Sequence, residues 1–171
     1  MEKIILGIDP GSHYLGVGCL QKSGNRLVFI AAEAIKAPQK ESLYPRLEVI
    51  AERLEVLLDL WKPHEVAVED LFHSINARSA FRLGIARGVA IGACLKRRLP
   101  IFEYAPALVK STVTGSGRAD KDQVRKMVEL TLRAKIDLRH DATDALAVAI
   151  CHASHIRLET IVTSARLDLP R

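Results

Sequence analysis

Ile4-Ile5-Leu6-Gly7-Ile8-Asp9-Pro10-Gly11 decides how the rest of the chain is read. Its first residues carry almost no polarity and are rich in β-branched side chains, the signature of a strand buried on both faces. Asp9 follows with no break, which places a carboxylate in or beside the core. An ion taken out of water without a partner is costly enough to stay neutral or to find a cation. Pro10-Gly11 is a turn signal, so Asp9 taken alone reads equally well as a turn starter. The choice falls to what the remaining sequence brings to the same place.

Composition narrows the class. The 171 residues suit one domain with a full-sized core. Hydrophobic content is 49%, no apolar stretch approaches the length of a membrane span, and the N-terminus lacks a signal-peptide pattern. Cys19, Cys94 and Cys151 are scattered, with no Cys-x-x-Cys pair, as expected of reduced, buried thiols in a cytoplasmic protein. A net charge of +5 is compatible with a polyanionic partner without proving one. Aromatic residues make up 5%, too few for a long stacking platform on single strands.

Working outward from Asp9, Tyr14 to Leu20 alternates well enough for a second strand hairpinned to the first. Ser23-Gly24-Asn25 is a turn, and Arg26 to Ile35 gives a third strand. Leu47, Ile50, Leu54, Leu57, Leu58 and Trp61 then mark an amphipathic helix halted before Pro63. Glu65-Val66-Ala67-Val68-Glu69 is a short strand able to pair in parallel with the first. Glu69 ends it much as Asp9 ends the first, so neighbouring strands would deliver both carboxylates to one edge of the sheet.

A long helix is expected from Ser74 to about Arg97, with Gly84, Gly88 and Gly92 in a stripe at i, i+4, i+8. Each glycine costs about 1 kcal/mol relative to alanine in a helix interior. Close approach of another backbone would account for the stripe, either the domain's own sheet or a partner helix. Leu99 to Tyr104 reads as a fifth strand and Pro106 to Val113 as a short helix. Thr114 to Lys121 joins two glycines to the cations Arg118 and Lys121 and opens a helix from Asp122 to about Ala134. A loop of that kind can contact a phosphate backbone, although it lacks the spacing of a nucleotide P-loop.

The last motif is Asp141-Ala142-Thr143-Asp144, where two acids share one face at the start of an alanine-rich, apolar helix. Capping the helix needs only one of them. Packed onto the sheet, the helix would bring both to the edge holding Asp9 and Glu69. Four carboxylates gathered there repel by roughly 4 kcal/mol per close pair. Divalent cations would neutralise them, and oxygen-only ligands suit Mg²⁺ or Mn²⁺ rather than zinc. Two such ions can activate a water and stabilise the leaving oxygen of a phosphodiester. A basic protein with that site is most simply a nuclease.

Gly7-Ile8-Asp9-Pro10-Gly11, Val68-Glu69-Asp70-Leu71-Phe72, Ala86-Arg87-Gly88-Val89-Ala90 and Asp141 to Ala147 together resemble the RuvC family of bacterial Holliday-junction resolvases. The spacing between the motifs agrees, and the likeness runs from about Met1 to His155. It implies a ribonuclease-H-like α/β fold, a mixed five-stranded sheet flanked by helices, over residues 1–157. Residues 158–171 match no motif and read as a tail. The resemblance implies a homodimer that makes paired cuts in opposite strands of a four-way DNA junction, two Mg²⁺ per site, and a branch-migration helicase complex as partner. By position, Asp9, Glu69, Asp141 and Asp144 resemble the acidic metal-binding and catalytic set. Phe72 resembles the aromatic that stacks on bases near the crossover, and Lys110 and Lys121 the phosphate-contacting lysines. Arg118 joins the DNA contacts from loop composition alone. The family's use of the long helix as dimer interface favours a partner helix against the glycine stripe.

Asp70 is left outside the site, because successive side chains on a strand point to opposite faces. His140 adjoins a position where some family members carry histidine, and ranks below Asp141. Cys151, His152 and His155 lack the fourth ligand of a zinc site. Gly-x-Asp-Pro-Gly-like strand ends also occur in sugar-kinase and actin-like ATPases, which need two such halves and a longer chain. The remaining alternatives are a related nuclease acting on another branched or RNA-containing substrate, and a junction-binding module without catalysis. A pure DNA binder gains nothing from four carboxylates near phosphates.

Overall fold

The computed structural model describes residues 2–11, 13–38, 40–70 and 77–167, with the side chains of Arg78 and of residues 157–167 left out of that description. Three strands come first: β1 (Glu2–Pro10), β2 (Tyr14–Ser23) and β3 (Arg26–Lys36). Helix α1 (Leu43–Trp61), strand β4 (Glu65–Glu69), helix α2 (Ala77–Lys96) and strand β5 (Ile101–Tyr104) follow. Helices α3 (Pro106–Thr114), α4 (Lys121–Leu132) and α5 (His140–Leu167) complete the order. Helix α5 continues past Arg157, into the stretch that matches no motif.

The five strands form one mixed sheet in the order β3-β2-β1-β4-β5. β1 runs antiparallel to β2 and parallel to β4, with Ile5 opposite Glu65 and Ile8 opposite Val68. Alternation along β1 and β4 feeds two cores. Leu6, Ile8, Val66 and Val68 pack with α1 and α2, whose Ile50, Leu54, Leu57, Ala90 and Cys94 are buried. Ile5 and Ala67 face the other way, into a core built with Val109 of α3, Val128 of α4 and Leu146 to Cys151 of α5. Each large aliphatic side chain fully buried on these faces contributes roughly 1.5–3 kcal/mol.

Local chemistry sets the helix ends. Lys62 takes a left-handed conformation (φ 47°) just before Pro63, which α1 cannot enter. Pro106 starts α3, and Gly115 (φ 79°) closes it. Asp120 accepts from the Gln123 N–H while the Gln123 side chain answers the Asp120 N–H, a capping box that starts α4.

Three glycines bring α5 down onto the sheet. A Cβ on Gly7 would collide with the Ala145 carbonyl, one on Gly16 with the Asp141 carbonyl, and one on Gly18 with Leu146. The helix therefore lies backbone against backbone over β1 and β2. Gly88 and Gly92 of α2 are different: nothing lies within 4 Å of a Cβ built on either. The domain's own sheet does not use these two stripe glycines.

Candidate active site

Asp9 and Glu69 follow Ile8 and Val68 in register, at the ends of β1 and β4. Both project to the face covered by α5, the face of Ile5, Gly7 and Ala67. Gly16 lets the first turn of α5 reach the same point, since its missing Cβ leaves room for the Asp141 backbone beside Asp9. Asp141 and Asp144 complete the group from that turn and the next.

The electrostatics show how closely the four acids meet. Burial, the charges of Glu69 and Asp144, a hydrogen bond to Glu69 and the charge of Asp141 push Asp9 from 3.8 up to about 8. Burial and Asp144 also raise Glu69, while the Asp9 hydrogen bond, Lys110 and Lys121 pull it back. Near neutral pH the Asp9–Glu69 pair shares a proton, because two ionised carboxylates in hydrogen-bond contact cannot both be tolerated.

Cations of the chain hold the outer two acids. Lys121 Nζ lies 3.3 Å from Asp144 Oδ2, and Asp144 is the main reason the Lys121 amine is raised. Arg139 Nε lies 3.4 Å from Asp141 Oδ2, and its guanidinium sits 3.8 Å above the Tyr14 ring. Among the described residues, no three His, Cys, Asp or Glu side chains are arranged as a closed metal cage. The carboxylates are turned instead to a shared proton and to Lys121 and Arg139. The donor set still fits a hard divalent ion: oxygen only, crowded, and carrying a proton it would give up to a cation.

Other expected residues are placed unequally. Lys110 and Lys121 stand close enough to act electrostatically on Glu69. Arg118 is exposed in the α3–α4 loop, and among the described residues nothing ties its side chain to the acids. Phe72 lies outside the described residues. His140 is exposed at the first residue of α5. Asp70 points away from the acids, 3.8 Å from the Arg87 guanidinium. His152 is buried between the Tyr104 hydroxyl (2.7 Å) and Glu65 (3.0 Å), and His155 Nδ1 meets the Cys151 carbonyl at 2.8 Å, so neither is a zinc ligand. The sequence assigns no site role to Arg139 or Arg87. The position of Arg139 two residues before Asp141 was the available signal for the first, and the family motif that holds Arg87 for the second.

Comparison with known proteins identifies the family. Residues 5–152 match the family model described as crossover junction endodeoxyribonuclease RuvC. A protein of that name from Geobacter sp. (strain M21) is 44% identical over 163 residues, covering 95% of this chain and 99% of the relative. Another from Mannheimia succiniciproducens is 45% identical over 164 residues, covering 95% and 82%. The structure of T. thermophilus RuvC in complex with Holliday junction substrate is 32% identical, with a TM-score of 0.85 over 92% of this chain and 97% of that one. A yeast mitochondrial Holliday junction resolvase, 11% identical, shares the fold, with a TM-score of 0.67 over 96% and 84%. No described helix is long and apolar enough to cross a membrane. With its motifs, fold and relatives in agreement, the chain belongs to the RuvC family of crossover junction endodeoxyribonucleases.

Proposed function

We propose that this chain resolves four-way DNA junctions by paired, metal-dependent phosphodiester cuts in opposite strands, in recombination and repair. The observation that carries the reading is Asp9, pushed up to about 8 by burial and three other carboxylates in a family of junction nucleases. Asp9, Glu69, Asp141 and Asp144 would hold two Mg²⁺, with Mn²⁺ as the substitute, and that pair would supply activation of a water and stabilisation of the leaving oxygen of the phosphodiester.

The chain's own groups do the rest. Asp9 and Glu69 would release their shared proton to solvent on taking up a cation. Lys121, 3.3 Å from Asp144, exchanges that carboxylate for a DNA phosphate, and Lys110 supports it from α3. Arg118 contacts the backbone further out, and Phe72 stacks on a base beside the crossover. Phe81, Gly88, Gly92 and Leu95 are exposed on one face of α2 at i, i+7, i+11 and i+14, and that face pairs with a second copy. The dimer works in the cytoplasm with a branch-migration helicase complex, and residues 1–157 form its nuclease domain.

Incubation with a synthetic four-way junction and Mg²⁺, followed by mapping of the cuts, tests the proposal. Symmetric cuts in two opposing strands are expected. Cleavage confined to RNA-containing or other branched substrates, or tight binding with no cleavage in Mg²⁺ or Mn²⁺, would replace it.

A further inference from the structure

Helix α2 reaches the end of β4 through one side chain. The Arg87 side chain is 16% exposed and lies between two carboxylates, with Nη2 2.6 Å from Glu103 Oε1 and 3.8 Å from Asp70 Oδ1. Its Nε donates to the backbone carbonyl of Glu69 at 3.4 Å. That carbonyl is one the sheet serves poorly. The Val66 and Asp70 N–H groups both donate toward β5, to Pro100 just before it and to Tyr104 at its end, at 2.9 Å. By alternation, the amide groups of Glu69 turn toward β1. The register that pairs Ile8 with Val68 then sets the Glu69 carbonyl against the amide of residue 10, and Pro10 has no N–H to give. Arg87 supplies a donor where the ladder lacks one.

We infer that Arg87 is a positioning residue: with Glu103 and Asp70 as its counter-ions, it fixes the backbone of Glu69 and so presents that carboxylate to Asp9. This rests on the metal-binding role proposed for Glu69 and adds a source for its precision. It also accounts for Asp70, the acid beside Glu69 that the site does not use. Gly88, the next residue after Arg87, opens onto the face assigned to the partner copy.

The test compares Arg87→Met, Arg87→Lys and Glu103→Gln with wild type. Calorimetric titration of Mn²⁺ into the DNA-free protein reads the site without any reaction. Arg87→Met should weaken Mn²⁺ binding about tenfold, as removal of a group that orients a metal ligand does. The Mg²⁺ midpoint for junction cleavage should rise by the same factor, while the rate at saturating Mg²⁺ falls far less. Arg87→Lys keeps the charge and should recover part of the loss, and Glu103→Gln should cause a smaller shift. Junction binding in EDTA should stay within about twofold for all three, since none of these groups contacts phosphate. Unchanged Mn²⁺ affinity in Arg87→Met overturns the inference. If that variant does not fold, unchanged affinity in both Arg87→Lys and Glu103→Gln overturns it instead. A wild type that binds Mn²⁺ but cuts no junction would defeat the proposed function, and the calorimetric comparison would still decide the role of Arg87. A wild type that binds no Mn²⁺ defeats both.

Discussion

Glu65 and Glu69 lie four residues apart on one strand, point to the same face, and sit under the same helix, yet the fold treats them in opposite ways. Burial alone would raise Glu65, but the hydrogen bonds and charges of Lys3 and His152 outweigh it and hold its carboxyl below the ordinary value. Glu69 is raised, first by burial and then by Asp144, and its hydrogen-bond partner is another acid. At one end of β4 the acid is neutralised by the chain and anchors His152, which in turn meets the Tyr104 hydroxyl. At the other end Asp9 and Glu69 are grouped with their own kind. An anion satisfied internally holds a fold together, whereas one left with like-charged neighbours is reserved for a cation from outside.

The largest expected effect is on cleavage. Asp9→Asn, Glu69→Gln, Asp141→Asn and Asp144→Asn should each lower single-turnover junction cleavage in Mg²⁺ by about a thousandfold or more, several kcal/mol of barrier. Junction binding should survive. A variant of any of the four that cuts at close to the wild-type rate removes that residue from the site.

The pH dependence of stability should separate the two ends of β4. Asp9 is raised, so the metal-free folded state holds a proton that the unfolded chain releases above its ordinary 3.8. Stability from this group is fully present below that value and is lost as pH rises toward about 8, at ~1.4 kcal/mol per unit while only the folded state holds the proton. Glu65 is lowered, so its contribution is present above the ordinary 4.5 and is lost as pH falls through its folded value. Thermal melts in EDTA should therefore fall between pH 5 and 8 in wild type and much less in Asp9→Asn, and Mg²⁺ should flatten the wild-type slope. Equal slopes in the two proteins would break the contrast.

A smaller effect comes from exchanging the acids one at a time. Glu65→Ala leaves Lys3 and His152 without their acceptor and should cost about 1–3 kcal/mol, a drop of several degrees in Tm. Glu69→Gln should raise the Tm of the metal-free protein by relieving repulsion. The smallest effect belongs to Lys121→Ala, which should weaken junction binding and reduce the slope of log affinity against log salt by about one. An unchanged slope would take Lys121 off the phosphate backbone.

Much of this was legible in the sequence wherever the signal was local. The five residues of β4 follow from their β-branched run, and α3 from its proline start and glycine stop. Asp9, Glu69, Asp141 and Asp144 were found together because two strand ends and one helix start announce themselves by pattern. The glycines were harder. The α2 stripe stood out because helical glycine is costly, whereas Gly7, Gly16 and Gly18 are the ones that admit α5, a contact across more than a hundred residues with no periodic trace. The Lys3–Glu65–His152–Tyr104 chain is invisible for the same reason. It joins two strands, a helix and a further strand, and exists only once the sheet has its order.

The bare contact between α5 and the sheet sets who must yield when enzyme and substrate meet. With Gly7, Gly16 and Gly18 admitting backbone against backbone, Asp141 and Asp9 stand on a frame that has no slack to reshape itself around a nucleic acid. The deformation falls to the DNA. Continuous duplex is stiff and resists being bent into recessed carboxylates, while a branch point interrupts the continuous stack of its strands and turns at smaller cost. The compliance of the substrate then contributes to selectivity for branched DNA: a rigid site favours the substrate that yields.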